Sequence, residues 1–451
     1  MAAATKAFRP FQHLTAQELC TLLTVSKLMT YSWFVRNSSK LIGMSQAVLG
    51  KRASEFYIKH TVASVFSAGE SVEDVRATIQ TFKKYVNPTQ PFYPIIDFAA
   101  EGVHDPSLTS EMDSNASDVI SGILEAGKSP HSASAVKFTA LTATPLLRKI
   151  AALQTKANRQ LVAMGVNGKE VEGLFTGSLF PLLAHAASPI YGLPSHPSLR
   201  SLLSELSEED LGMLQAFLAR VLSISSAAKA HKVAILIDAE QSYFQPAVDA
   251  LTYDLQRLYN QKQPVINATF QCYLKETDQK LPAYIRISQQ EGVKLGAKLV
   301  RGAYIIEENR LAGRESRESP VHKGKPDTDK CYNANLGLFI EAMQQGDKLV
   351  VASHNADSVA LGQRLMQERG LGKTSGGVSF AQLMGMKHKL SVQLAQAGYI
   401  TQKYMPFGPI SRLVPYLARR AHESYGIKDQ IQDQVADIVK ELKFRALPRR
   451  N

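Results

Sequence analysis

The chain has 451 residues, of which 45% are hydrophobic and 20% are charged, a composition that is ordinary for a globular protein. No apolar run approaches the roughly 18 residues of a transmembrane helix. The net charge of +12 is compatible with nucleic acid, an anionic membrane or a basic compartment such as the mitochondrial matrix. RNA-recognition signatures, zinc-finger spacings and long basic blocks are missing, so we do not expect nucleic-acid binding.

The N-terminal part of the chain is predicted to be helical and basic. Apolar residues at helical spacing recur over residues 12–85, and prolines then mark a boundary. Residues 1–60 hold eight Lys/Arg against two acidic residues, which is half of the excess positive charge of the chain. The first eleven residues carry two basic residues and no acidic one, which resembles a short transit peptide.

Short β-prone apolar runs follow, mostly separated by helix-length polar stretches. The eight predicted strands are 93–98, 135–141, 233–237, 265–273, 297–304, 349–352, 378–383 and 400–406. This alternation predicts an α/β fold with a parallel sheet, and eight is the number of strands that closes a (β/α)8 barrel. Alternation alone leaves an open doubly wound sheet as the alternative.

Two connections between the predicted strands are longer than usual. Residues 101–134 are rich in Ser, Asp and Gly and are predicted to be a flexible excursion. Residues at about 150–230 are mostly helical, and Ser207 begins a capping-box sequence there. We therefore predict an N-terminal helical region, 1–90, and a barrel, 91–451, with a helical insertion between strands 2 and 3.

Nearly every predicted strand ends in polar or titratable residues, although buried parallel strands should be continuously apolar. In a barrel these ends converge on one face, where the active sites of that fold lie. A single strand-end aspartate more often caps the next helix, but cations and anions from several strands together favour a functional site. These residues are Asp97, Glu101, Lys137, Asp238, Glu240, Gln271, Lys298, Arg301, His354, Asn355, Gln382 and Tyr404.

The common cofactor and metal motifs are missing. The chain has no GxGxxG fingerprint and no carboxylate or histidine spacing typical of a metal site, so we expect no metal. After the fifth predicted strand, Gly302 lets the backbone approach a phosphate or a flat ring closely. The three cysteines, Cys20, Cys272 and Cys331, are too scattered for a disulfide framework and are expected to be reduced.

Near the C-terminus, Tyr416, Arg419, Arg420 and Glu423 would share one face of a helix. Adjacent guanidinium groups repel each other, and a solvated basic face is the simpler interpretation. However, two planar guanidinium groups flanked by an aromatic ring and a carboxylate suit the binding of a small carboxylate ligand. The pattern therefore favours a binding site.

Five of these motifs resemble the successive strand-end motifs of the proline dehydrogenase family, in the family's order. They are residues 237–241, 269–273, 298–304, 352–355 and 404–423. The resemblance implies a distorted FAD-binding (β/α)8 barrel that oxidises L-proline to Δ1-pyrroline-5-carboxylate by hydride transfer to flavin N5. It further implies ubiquinone as the electron acceptor. Without an aldehyde dehydrogenase domain, the chain resembles the monofunctional mitochondrial type, located in the matrix and possibly peripheral on the inner membrane.

The resemblance also implies roles for residues around the substrate. Lys137, Arg419 and Arg420 would bind the proline carboxylate. Glu423 would brace the arginine pair, and Glu101 would pair with the first arginine to gate the pocket. The side chains expected around the apolar ring of proline are Tyr304, Leu383, Tyr404 and Tyr416.

A second set of residues is implied for the cofactor. Asp238 and Lys298 would be catalytic and would lie near the flavin ring, together with Ala239 and Gln271. A positive Lys298 would stabilise the electron-rich reduced ring. The residues implied for the rest of FAD are Arg301, Gly302, Ala303, Ser353 and His354.

Three other functions remain as alternatives. The hydroxyproline-oxidising relatives have a smaller residue at the position of Tyr404, so a tyrosine there favours proline over hydroxyproline. A Schiff-base lyase on the same barrel would use Lys137 or Lys298 as its amine. A non-enzymatic protein of the inner membrane would have kept the barrel and lost the activity, yet none of the motif residues is missing.

Overall fold

A computed structural model describes residues 9–12, 14–31, 33, 37–85, 92–100, 102–165, 177–184, 186–193, 195–425 and 428–446. Eight strands close into a barrel in which the order in space is the order along the chain. They are β1 (Tyr93–Phe98), β2 (Ala133–Val136), β3 (Ala234–Ile237), β4 (Ile266–Gln271), β5 (Gly296–Val300), β6 (Lys348–Ala352), β7 (Val378–Leu383) and β8 (Thr401–Phe407). The predicted (β/α)8 barrel is confirmed, and the open sheet is excluded.

The strands pair in parallel, as the alternation with helices requires. Described ladders join β1 to β2 and so on in sequence to β6. All six residues of β1 are buried, and so are the first five of β7. This matches strands that are covered on both faces.

The predicted bounds of β1 and β7 are correct, whereas those of β2 are wrong. Instead of 135–141, β2 covers Ala133–Val136, and residues Phe138–Ala140 form a 3₁₀ turn. The apolar run continued past the strand because Phe138 is itself a fully buried core residue. Apolar character alone therefore placed the end of this strand too late.

The flexible excursion predicted for residues 101–134 is also wrong. Most of it is helix Thr109–Ala126. Met112, Val119 and Ile123 are buried on one side of this helix, which is the spacing of an amphipathic helix. The many serines and aspartates of this segment made the helical spacing of its apolar residues hard to detect in the sequence.

The described α-helices of eight or more residues precede, alternate with or follow the strands along the chain. They are α1 (Ala16–Met29), α2 (Ser38–Leu49), α3 (Lys51–Ile58), α4 (Val72–Tyr85), α5 (Thr109–Ala126), α6 (Thr144–Ala163), α7 (Glu208–His231), α8 (Gln245–Tyr259), α9 (Thr277–Glu291), α10 (Ile305–Arg314), α11 (Lys325–Ala342), α12 (Ala356–Glu368), α13 (His388–Gln396), α14 (Ile410–Tyr425) and α15 (Lys428–Ala446). Other helical segments are the π-helical Lys59–Ala63, the short helices Ser64–Phe66 and Phe180–Leu183, and the 3₁₀ segments Phe138–Ala140 and Pro197–Glu205.

Helix α7 begins with the predicted capping box. The Ser207 hydroxyl accepts a hydrogen bond from the Asp210 backbone N–H, and the Asp210 carboxylate accepts one from the Ser207 N–H. In the described part of the chain, α7 is long and apolar enough to cross a membrane. Phe217 and Val221 are nevertheless buried within the protein, as in the core helix of a globular fold.

The chain divides into two compact units. One contains residues 1–93 and 381–451, and the other contains residues 94–380. The boundaries fall inside β1 and β7. The proposed division into an N-terminal helical region and a barrel from residue 91 stays a prediction.

Candidate functional site

Four charged side chains at the strand ends of the second unit form one ion-pair network. Lys137 Nζ, directly after β2, lies 2.7 Å from Asp97 Oδ1 of β1 and 3.4 Å from Asp238 Oδ2. Lys298 Nζ, in β5, lies 2.6 Å from Asp238 Oδ1. Two ammonium groups and two carboxylates therefore alternate along the network, and their formal charges cancel.

Each charge in this network has a partner, which is the condition for burying it. Asp238 binds both lysines and thereby fixes the position of one ammonium group relative to the other. The sequence predicted roles for Lys137, Asp238 and Lys298 but none for Asp97. The signal was present, since Asp97 is a polar residue inside an otherwise apolar strand.

Glu240 is the second residue that sequence reasoning left without a role. Its backbone carbonyl accepts a hydrogen bond of 2.9 Å from Gln271 Nε2, and its carboxylate accepts one of 3.1 Å from the Thr139 N–H. Burial raises the pKa of the Glu240 carboxyl to about 7, against the lowering effects of Thr139 and of the nearby Lys137. Glu240 therefore positions Gln271 and changes its charge near neutral pH.

The Arg301 guanidinium is held by three hydrogen bonds. It donates to Asp329 Oδ1 at 2.7 Å, to Ser353 Oγ at 2.8 Å and to Ser358 Oγ at 2.9 Å. Its central carbon also lies 4.4 Å from the centre of the Tyr332 ring. The structure thus brings together Arg301 and Ser353, two predicted cofactor residues, and adds Asp329 and Ser358, which the motifs did not reveal.

Gly302 follows Arg301 and has the conformation that favours glycine. Its φ is +132°, and a Cβ atom there would lie 1.7 Å from Cδ1 of Tyr273. The glycine thus lets the backbone lie against the Tyr273 ring, and the close approach to a phosphate or a flat ring of a cofactor stays a prediction. Any larger residue at this position would displace the ring or the end of β5.

In the first unit, helix α14 carries the predicted aromatic and arginine residues. The Arg420 guanidinium carbon lies 4.9 Å from the centre of the Tyr416 ring. Arg420 is 8% exposed and Tyr416 is buried, while Arg419 is half-buried. A solvated basic face is therefore excluded for Arg420. Glu423 belongs to α14, but its side chain is outside the described part of the chain, and Glu101 is outside the described residues altogether.

The remaining predicted residues lie in a strand or just beyond its end. Tyr404 lies within β8, and Leu383 is the last residue of β7. The other residues follow β3, β5 and β6, and they are Ala239, Ala303, Tyr304, Ser353 and His354. Tyr304, His354, Leu383 and Tyr404 are half-buried, as expected of side chains that could contact a ligand.

Comparison with known proteins identifies the family. The profile of the proline dehydrogenase family matches residues 78–433. This chain belongs to the proline dehydrogenase family. The mitochondrial proline dehydrogenase 1 of Dictyostelium discoideum is 31% identical over 95% of this chain and 72% of its own length. The human proline dehydrogenase 1 is 39% identical over 50% of this chain and 38% of its own length.

One relative has a different name within the same family. The hydroxyproline dehydrogenase of Xenopus laevis is 28% identical over 98% of this chain and 90% of its own length. Among solved structures, proline utilization A of Bdellovibrio bacteriovorus has a TM-score of 0.60 and 15% identity. The match covers 92% of this chain and 37% of that one. At such identity the likeness establishes the fold of this proline dehydrogenase family member.

The raised pKa of Glu240 predicts a pH-dependent stability. The folded protein holds this proton more tightly than an unfolded chain, in which the ordinary value is 4.5. The contribution of Glu240 is therefore fully present below pH 4.5 and lost as the pH rises to about 7. Relative to Glu240→Gln, the wild type should lose up to about 3 kcal/mol of unfolding free energy over that range.

This difference can be measured from urea unfolding midpoints of both proteins at several values between about pH 5 and about pH 8. Glutamine keeps an oxygen for the Thr139 N–H, so the substitution removes the titration and preserves the contact. Other titrating groups cancel between the two proteins. A difference in midpoint that stays constant over this pH range would contradict the assignment.

Proposed function

We propose that this chain is an FAD-dependent L-proline dehydrogenase that produces Δ1-pyrroline-5-carboxylate and passes electrons to ubiquinone. The observation that carries the proposal is the network of Asp97, Lys137, Asp238 and Lys298 at the strand ends of a family barrel. Active sites of this fold lie at that face. Charged groups from four different strands are hard to explain as solvated loop residues.

The proposed substrate contacts begin with the carboxylate of proline. We assign it to Lys137, Arg419 and Arg420, because bidentate guanidinium groups and an ammonium group suit a planar anion. Glu423 and Glu101 are proposed to brace and gate this set. Tyr304, Leu383, Tyr404 and Tyr416 are proposed to contact the apolar ring.

The residues proposed for FAD fit the chemistry of that cofactor. Lys298, Gln271, Arg301 and Ser353 offer ammonium, amide, guanidinium and hydroxyl donors, which suit an anionic diphosphate and a polar ring edge. Arg301 is held rigidly by Asp329 and two serines, so its donors are already ordered. Asp238 and Ala239, Gly302 with Ala303, and His354 complete the proposed set.

The chain's own residues account for orientation and electrostatics. When bound, FAD supplies the acceptor for the two electrons and the hydride that leave carbon 5 of proline. Fixing the carboxylate aims that carbon, which is catalysis by orientation. Lys298, held by Asp238, would place a fixed positive charge beside the flavin ring and would stabilise its electron-rich reduced form.

The other enzymatic alternatives have less support. A Schiff-base nucleophile must be a free amine, whereas Lys137 and Lys298 are both bound to carboxylates. Hydroxyproline oxidation is the second candidate, because the Xenopus laevis relative aligns over nearly the whole chain. Tyr404 argues for proline, since its ring would crowd a hydroxyl group on carbon 4.

Exposed apolar residues support attachment to the inner mitochondrial membrane, with the rest of the protein in the matrix. Eight of the sixteen large apolar side chains exposed in the described residues lie between residues 28 and 57. They include Trp33 and Phe56, which are 67% and 59% exposed, and exposed Lys40, Lys51 and Arg52 are nearby. Aromatic and basic residues together suit an anionic bilayer surface, where a lipid-soluble quinone would be reached.

Arg420→Met should weaken proline binding while FAD stays bound. Losing one charge-assisted contact to the carboxylate costs about 1.5–3 kcal/mol, which is at least about a tenfold rise in the proline concentration needed for half-reduction. The measurement is anaerobic bleaching of the flavin absorbance by L-proline. Arg412→Met, on the same helix, is the control and should behave as wild type. Equal proline titrations for Arg420→Met and wild type would refute the carboxylate assignment.

Tyr404→Ser should shift the preference towards hydroxyproline. The smaller side chain leaves room for the hydroxyl group on carbon 4 and can donate a hydrogen bond to it. Steady-state kcat/KM for L-proline and for hydroxyproline gives the ratio that is compared between variant and wild type. Tyr404→Phe serves as the control, because it keeps the ring and should leave hydroxyproline excluded. If the serine variant leaves the ratio unchanged, Tyr404 does not discriminate between the two substrates.

The membrane proposal predicts that three apolar side chains of α2 and α3 govern liposome binding. In cosedimentation with anionic liposomes, the triple variant Val48→Ser, Phe56→Ser, Tyr57→Ser should partition at least about tenfold less than wild type. The matched control replaces three exposed apolar residues elsewhere, Leu124, Ile306 and Leu338, by serine. Equal partitioning of the two triple variants would contradict the proposal.

A further inference from the structure

Three potential metal ligands form a group that shares no member with the ion-pair network or with the hydrogen bonds of Arg301. They are Asp278 of α9, His322 in the segment before α11, and Cys331 of α11, and their ligand atoms all lie within 4.8 Å of one another. In the sequence these residues are 44 and 9 positions apart. The expectation of no metal site rested on sequence spacing, which does not register such distant residues.

The surroundings of Cys331 hold the group together. Asn335 Nδ2 donates both to Asp278 Oδ1 at 3.0 Å and to Cys331 Sγ at 3.4 Å. The buried Cys272 thiol also lies within hydrogen-bonding distance of Cys331. Cys331 therefore has two outer partners of the kind that orient a metal ligand.

His322 provides the observation that points to a ligand. Its Nε2 atom is shielded from solvent and has no hydrogen-bond partner among the described residues. Buried polar atoms nearly always have a partner, and an exception needs an explanation. Asp278 is exposed, so an ion can reach the group from solvent.

We propose that Asp278, His322 and Cys331 bind one thiophilic divalent cation of the Zn²⁺ class. Thiolate, imidazole and carboxylate are the ligands of such ions, whereas Mg²⁺ and Ca²⁺ prefer oxygen alone. Three protein ligands leave a fourth position for water. The ion would give the shielded His322 nitrogen a partner, and its charge would compensate the negative charges of the aspartate and the thiolate.

The site would stabilise a connection of the barrel and take no part in proline oxidation. The His322 N–H donates to the Tyr273 carbonyl at 2.9 Å, and Leu274 pairs with Val321 in an isolated bridge. A bound ion would tie this segment to α9 and α11. Since the Tyr273 ring packs against Gly302, metal occupancy would also support the turn after β5. The proposal is independent of the proposed activity.

The test is a titration of full-length, metal-free protein with Co²⁺ under reducing conditions. Ligand-field absorption at wavelengths beyond the flavin bands reports a tetrahedral site, and elemental analysis gives the stoichiometry. We expect one Co²⁺ per chain, displaced by Zn²⁺. Cys331→Ser, His322→Gln and Asp278→Asn should each weaken binding at least about tenfold, the scale on which even the outer partner of a ligand acts.

Matched controls separate this site from adventitious binding. Cys20→Ser removes an exposed thiol, and Asp327→Asn removes an exposed carboxylate close to the site in sequence; both should bind as wild type. If Cys331→Ser does not fold, Asp278→Asn decides, because its side chain is exposed. Absence of saturable Co²⁺ binding, binding unchanged in Asp278→Asn, or loss of binding only in Cys20→Ser would each overturn the proposal.

Discussion

The interaction on which the strand-end region depends is the double ion pair of Asp238. One carboxylate binds both lysines, so Asp238, directly after β3, connects Lys298 to Lys137, which Asp97 also binds. Leaving a buried charge without its partner costs about 3–5 kcal/mol. Removing Asp238 would take a carboxylate from both ammonium groups, although Lys137 would keep Asp97, and this shared partner links β2, β3 and β5 at their ends.

The pairing of charges in this network explains why the pKa of the neighbouring Glu240 is raised. Lys137 and Lys298 are already matched by Asp97 and Asp238, so among the described residues the Glu240 carboxylate has no ammonium group of its own. Burial then dominates and raises the pKa of Glu240 to about 7. Its structural contribution comes through backbone atoms instead, since its carbonyl accepts the Gln271 amide and its N–H donates to Gln245. Glu240 therefore organises the site without adding a full charge to it.

The barrel could be predicted because buried parallel strands leave a strong signal, continuous apolar runs that end in polar residues. The predictions that were wrong concern local structure. Phe138 prolonged an apolar run past the end of β2, and the serines of residues 101–134 hid the period of α5. Partners that lie on helices, such as Asp329 and Ser358 for Arg301, could not be found at all. Helical polar residues are common, and only the fold shows which of them face a strand end.

The same electrostatic balance separates the proposed roles of the cations. Lys137 is bound to two carboxylates, and the four described charges of its network cancel, so in the proposed function it orients a carboxylate and adds little attraction. Arg419 and Arg420 are adjacent and repel each other, which makes an anion favourable for them. Arg420 is also largely shielded from water, so its electric field is screened less than that of an exposed charge. In the proposed function, the arginines of α14 therefore provide the attraction for an anion, whereas Lys137 is a side chain already ordered by two carboxylates.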